Sequence, residues 1–274
     1  MSVGIFIYDN DFDRLTISDG AVLVNELNGL PCKKLTYIPK LPWLNASSVK
    51  CGVNESNYLL NVSVGKLSSK LIQQLQEIKI GECKSLWDLH VIQESSKYKI
   101  CVQSIIKHLS RFNNDVASMT QHSLYFCDMS LWNNTFNKHD NEYLGMHLDS
   151  YERQMLNDRN KSRNRICINL GLQSRFLLFY RTSIMEMARQ INNTSDNQNI
   201  NEIYEKYMSL NIKEPIYRIE VKPFEYYIAP TESIVHDGSN WPSTSPDINL
   251  VFRGNFFYKK TSIFTKMFNI IRLK

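Results

Sequence analysis

From Ser123 to Tyr258 the chain returns repeatedly to short β-type runs: SLYFCDMSLW, YLGMHLDS, RICINLG, FLLFYR, IYRIEVK, FEYYIA, SIVH and DINLVFRGNFFY. Turn-forming Gly, Pro, Asn and Asp residues punctuate them. This pattern constrains the fold more than any other feature. Many short strands must each find sheet partners for their backbone groups, and two packed sheets or a closed barrel satisfy that demand. The expectation is a mainly β protein with flanking helices (α+β), a sandwich or jelly-roll with helices packed on one side.

The rest of the chain fits around that core. The first 65 residues are strand-rich and irregular, with GIFIYD, AVLVNEL and NYLLNVSV as β-type runs. Residues 68–113 read as helical. SSKLIQQLQEI opens on serines and repeats apolar residues at three and four, and KYKICVQSIIKHLSRF does the same through Ile100, Val102, Ile105, Ile106 and Leu109. A helical interlude, TSIMEMARQINN and EIYEKYMSL, brackets the polar loop NTSDNQNIN. One domain over 1–274 is expected: a strand and helix flank over 1–122, a core over 123–258 and a basic amphipathic tail over 259–274. In the tail, Ile263, Phe264, Met267, Phe268 and Ile271 share one helical face. Docking of that face on the chain's own domain, or on a second subunit in a homodimer, is favoured over a membrane surface.

Composition narrows the function classes. Of 274 residues, 43% are hydrophobic and 22% charged, which is a globular rather than a disordered balance. A net charge of +5 with no arginine-rich helix argues against nucleic acid as a partner. No apolar run reaches the roughly 18 residues a membrane helix needs. The six cysteines form no CxxC pair, and the N-terminus carries no basic n-region. Reduced thiols in a cytoplasmic protein are the expectation.

The chemistry concentrates in the second half. His147 and Asp149 stand two apart, so on a strand both would face one side. A His-x-Asp is weak by itself. APTESIVHDGSN adds His236 at the end of a β-type run, and DINLVFRGNFF adds Arg253 among apolar residues. Two histidines and a carboxylate make the facial set of non-haem iron sites, and an arginine fork suits a buried carboxylate ligand.

In these residues the chain resembles the iron(II)/2-oxoglutarate-dependent dioxygenases of the double-stranded β-helix (jelly-roll, cupin-like) type, over roughly residues 123–258. The resemblance implies His147, Asp149 and His236 as iron(II) ligands and Arg253 as the 2-oxoglutarate anchor, with O₂ as the second cosubstrate. The interval of 17 residues from His236 to Arg253 is longer than in many members, and Asn255 stands where some carry Ser or Thr.

Strand parity adds Asn169 or Tyr180 as hydrogen-bond partners of the cosubstrate. Arg165, Arg175 and Arg181 are candidates for a substrate carboxylate. The implied activity is hydroxylation of an unactivated C–H bond in an amino acid, a carrier-protein-bound aminoacyl group or a small peptide-like metabolite. Asp149 fills the position that iron halogenases of this class leave to chloride, so oxygen-type chemistry is expected. Two other readings stay open: a cupin-type metal enzyme without 2-oxoglutarate, and a non-catalytic β-sandwich binding protein.

Overall fold

The computed structural model describes residues 3–27, 29–46, 58–113, 115–127, 130–137, 139–195 and 199–257. The amphipathic tail over 259–274 lies outside them, as does part of the NTSDNQNIN loop. The architecture is mixed, mostly sheet with several helices. Among the described residues, fifteen strands form three sheets.

The largest sheet has the order β1 (Gly4–Ile7), β6 (Asn61–Lys66), β13 (Glu225–Ala229), β10 (Asn164–Asn169), β15 (Asp247–Gly254), β7 (Thr120–Cys127). The second has β14 (Ile234–Ser239), β11 (Arg175–Ser183), β12 (Tyr217–Val221), β2 (Leu15–Ile17) and β5 (Leu44–Asn45). The third is a smaller ribbon of β3 (Ala21–Leu27), β4 (Leu30–Pro39), β9 (Glu142–Tyr143) and β8 (Phe136–Asn137). Strands from the N-terminal flank thus extend both main sheets. β1 and β6 join the first, while β2 and β5 join the second.

Side chains alternate across each strand, and the two main sheets use that alternation to build three cores. Between the sheets lie Val62, Val64, Cys167, Tyr227 and Val251 from one, against Leu177, Phe179, Ile219, Val221 and Ile234 from the other. The other face of the large sheet, with Ile166, Ile168, Leu250 and Phe252, is covered by α1 (Ser69–Glu77), α2 (Leu86–Glu94) and α3 (Ser96–Leu109). The outer face of the second sheet, with Leu178, Tyr180 and Val235, is covered by α4 (Ile184–Gln190) and α5 (Ile200–Leu210). Helices therefore pack on both outer faces, not on one. Central strands buried on both sides explain why RICINLG and FLLFYR read as continuous apolar runs rather than alternating ones.

The helical reading of 68–113 includes α2, whereas the strand reading of YLGMHLDS is not met. α2 is apolar on both sides and shows little helical periodicity, with Leu86, Trp87 and Val91 exposed. Its legible signal is the capping box, in which Ser85 accepts from the Asp88 N–H and Asp88 from the Ser85 N–H. YLGMHLDS is not a regular strand. It contributes Tyr143 to β9 and pairs with β14 only at His147.

Phe252 is fully buried where β15 meets the helical layer. Phe252→Ala should cost about 3–5 kcal/mol in denaturant unfolding, the range for an aromatic deleted from a close-packed core.

Candidate metal centre

The site is built on one exchange of main-chain hydrogen bonds. The His236 N–H donates to the His147 carbonyl at 2.8 Å, and the His147 N–H returns to the His236 carbonyl at 3.0 Å. That bridge sets the two imidazoles side by side, with ring centroids 4.9 Å apart. Gly145 makes the approach possible. It turns the chain with φ +62°, and a Cβ there would run into the Thr36 side chain. Asp149 follows two residues on. Its N–H donates to the Thr231 carbonyl at 3.0 Å, and its own carbonyl accepts from Arg159 Nη1 at 2.8 Å.

One ligand atom from each of His147, Asp149 and His236 lies within 4.8 Å of the others, and among the described residues no second such group of His, Cys, Asp or Glu forms. His147 Nδ1 faces the Gly145 carbonyl at 2.8 Å, and His236 Nδ1 faces the Ile234 carbonyl at 3.2 Å. A carbonyl can only accept, so each Nδ1 carries a proton and Nε2 is the nitrogen turned toward the ligand position. His236 Nε2 is buried with no hydrogen-bond partner. It stands 4.0 Å from Asp149 Oδ2, too far for a hydrogen bond. An ordinary His–Asp pair would close that gap, because an orphaned buried acceptor costs roughly 1–3 kcal/mol. The spacing fits a cation between them.

The electrostatics keep both groups in ligating form. Burial alone would push the Asp149 carboxyl up, but Arg165 at 2.8 Å and the two histidines outweigh it and hold it at about 2. Burial drives His236 down to about 3, against the opposing pull of Asp149. Half-exposed Tyr151 covers this side, its ring over Arg253 at 4.7 Å and Arg165 at 5.9 Å.

The expected cosubstrate residues fare differently. Arg253 is buried but engaged: its Nη2 donates to Glu232 Oε1 at 2.8 Å and lies 3.6 Å from Glu152. Glu232 answers its charge, while its Nε and Nη1 are buried without a hydrogen-bond partner, so the structure gives it one structural bond and leaves the anchor role as a proposal. Tyr180 faces the wrong way. Phe179 is the residue opposite His236, so Tyr180 points into the helix-covered core beside Tyr204. Asn169 has the right parity, but its Nδ2 donates to the Gln173 and Val221 carbonyls and its Oδ1 accepts from the Gly171 N–H. Its amide is spent on a turn. Arg181 donates to the Val3 carbonyl at 3.0 Å and packs over Tyr217, tying down the N-terminal strand.

Arg175 is the residue whose importance parity alone did not single out. It is buried, with Nη1 on Cys167 Sγ at 2.7 Å, and its Nε, 3.4 Å from Asp247, has no hydrogen-bond partner. Its Nη2 lies over Gly238, where a Cβ would come within 2.9 Å. Gly238 is two residues beyond His236 and on the same face of β14. An incompletely satisfied guanidinium therefore sits one side-chain step from the triad.

No protein-family model matches the sequence, and no curated protein matches it. No helix among the described residues is long and apolar enough to cross a membrane.

The depressed His236 makes a prediction for the metal-free protein. The unfolded chain takes up its imidazole proton near the ordinary 6.5, whereas the folded chain resists until about 3. Between those values the unfolded state binds more protons, so stability rises with pH across the window and falls on acidification. The slope for one such group is at most about 1.4 kcal/mol per pH unit. Urea unfolding in chelator at both ends of the window should show it, and His236→Leu should flatten it relative to the parent.

Proposed function

We propose that the chain is a non-haem iron(II) oxygenase that uses 2-oxoglutarate and O₂ to hydroxylate a C–H bond of a small molecule. The observation that carries this reading is the triad of two imidazole rings and one ionised carboxylate, gathered around a gap they do not bridge themselves. Three protein ligands of this kind leave coordination positions open, the arrangement non-haem iron(II) oxygenases use. Bound there, iron would activate O₂ while the oxo acid supplies two electrons on losing CO₂, the other two coming from the C–H bond.

The strand order supports a double-stranded β-helix core. Along the chain, β7, the His147 segment, β10, β11, β12, β13, β14 and β15 fall in the large sheet, the second, the large, the second, the second, the large, the second and the large. In the large sheet they lie as β7-β15-β10-β13, and in the other as the His147 segment, β14, β11, β12. Alternation between two facing sheets of four is what a jelly-roll requires.

Charge supports a dianionic cosubstrate. On the inward faces, Asp149 and Asp247 balance Arg165 and Arg175. A divalent cation leaves two positive charges, and a dicarboxylate cancels them. Its metal-distal carboxylate would find Arg175, on β11, rather than Arg253. The protein's remaining work is to keep Asp149 ionised through Arg165 and to wall the site with Tyr151.

One observation favours a second reading, a metal-dependent enzyme of the same architecture that uses no oxo acid. Asp247 already lies beside Arg175 and also accepts from Asn134 at 3.0 Å, which weakens the pull on an incoming carboxylate.

Anaerobic titration with iron(II) and then 2-oxoglutarate separates the two, since the chelate has a visible charge-transfer band. His147→Ala and His236→Ala should abolish most iron binding; parental binding in both would place the metal elsewhere. Arg175→Met should weaken 2-oxoglutarate binding by the equivalent of about 2–5 kcal/mol, the range for one partner of a buried charged pair. Arg253→Met at saturating iron should not. Iron binding with no response to 2-oxoglutarate selects the second reading.

A further inference from the structure

Glu232 lies in the short turn between β13 and β14 and has no solvent exposure. A fully buried carboxylate needs partners, and this one has gathered them from three directions. Its Oε1 accepts from the Tyr151 N–H at 2.8 Å, the Glu152 N–H at 3.3 Å and Arg253 Nη2 at 2.8 Å. Its Oε2 stands 3.7 Å from Arg159 Nη1. That same Nη1 donates to the Glu232 carbonyl and to the Asp149 carbonyl, each at 2.8 Å. Thr231 accepts the Asp149 N–H, and Ser233 Oγ donates to the Arg159 carbonyl at 2.6 Å.

These bonds converge on one residue. The peptide groups on both sides of Asp149 are tied to Thr231, Arg159 and Glu232, and the chain just beyond it is held at Tyr151 and Glu152. The turn that does the holding leads directly into β14 and His236. Asp149 and the turn that leads to His236 are thus joined by the Thr231 carbonyl and Arg159, with the buried Glu232 carboxylate holding the chain just beyond Asp149.

We propose that Glu232 is a positioning residue for the metal ligand Asp149, with Arg159 and Arg253 as its cationic supports. The inference rests on the metal reading of the triad. It gives Arg253 a function through the ligand carboxylate's placement, in place of direct contact with a cosubstrate.

The test compares two buried Arg–Glu pairs. Glu225 takes Arg14 Nη1 at 2.8 Å and the Tyr8 hydroxyl at 3.0 Å, with no bond to the triad. Glu232→Gln and Glu225→Gln remove the same charge from similarly buried settings. Each is read by thermal unfolding, by cobalt(II) affinity against a competing chelator, by the visible cobalt spectrum and by amide exchange at Asp149 and Tyr151 in the metal-free protein. Glu232→Gln should weaken cobalt(II) binding about 10–100-fold, the usual span for a lost support of a metal ligand. It should also shift the spectrum and speed both amides. Glu225→Gln should lower the melting temperature while leaving the metal and exchange readouts at parental values. If Glu232→Gln binds cobalt as the parent does, or Glu225→Gln weakens it equally, Glu232 is merely structural. Should Glu232→Gln not fold, Glu232→Asp keeps the charge but withdraws it by one methylene, and the same readouts decide. A parental protein that binds no cobalt would overturn the metal reading instead, and the exchange arm would still report whether Glu232 holds Asp149.

Discussion

The reciprocal hydrogen bonds between His147 and His236 are the constraint on which the site depends. They are ordinary antiparallel sheet bonds, yet they join a segment that is otherwise not a strand to the edge of the second sheet. Without that single bridge the His147 segment has no fixed distance to β14, and the two imidazoles have no shared orientation. Its neighbours work to keep it. Gly145 bends the chain into place, the Met146 N–H is held by the Tyr37 carbonyl at 3.1 Å, and the Asp149 peptide is held by the turn before β14. Local sequence, a small third sheet and the main sandwich all contribute to a geometry of three side chains.

Each buried charge near the triad has an answering charge, but the answers differ in quality. Arg253 and Glu232 meet at 2.8 Å and Arg165 and Asp149 at 2.8 Å, whereas Arg175 and Asp247 approach only to 3.4 Å. A close pair fixes both partners to each other, although Arg253 Nε and Nη1 and Arg165 Nε find no hydrogen-bond partner. A loose pair leaves desolvation of the guanidinium incompletely repaid and so remains receptive to another anion. Distance thus ranks these arginines by how tightly a carboxylate holds each one. The strand position that suggested Arg253 could not make that distinction.

Much of this was legible in the chain. His147, Asp149 and His236 could be picked out because few functions other than metal binding place two histidines and a carboxylate among apolar strand residues. The structure brings them together. α1 and α3 followed from apolar periodicity and α5 from its place in the helical interlude, while α2 fell inside the stretch read as helical although its own apolar residues surround it. Tyr180 failed for want of register: a strand's sequence gives two faces but not which one meets His236, and pairing with Phe179 settles it against Tyr180. Asn169 failed differently. Its face was correct, but the backbone of the β10–β11 turn needed its amide first. Glu232 carried no signal at all, since a lone Glu after Pro-Thr reads as a solvated turn.

Glu232 also belongs to the frame that holds the three donors in place with no ion between them. Three donors pointed at one another with no ion between them are unfavourable: His236 Nε2 has no hydrogen-bond partner, and Asp149 is desolvated. The polypeptide must therefore hold them apart by bonds that do not involve the donors themselves. It does so from behind, through both imidazole Nδ1 atoms on carbonyls, the Asp149 main chain on Arg159 and Thr231, and Arg165 on the carboxylate flank. The cost of preorganisation is spread over groups that solvent does not reach and that have no freedom to relax. On the proposed metal reading, a divalent ion entering such a frame would meet ligands already oriented, so little of its binding energy would go to rearranging them.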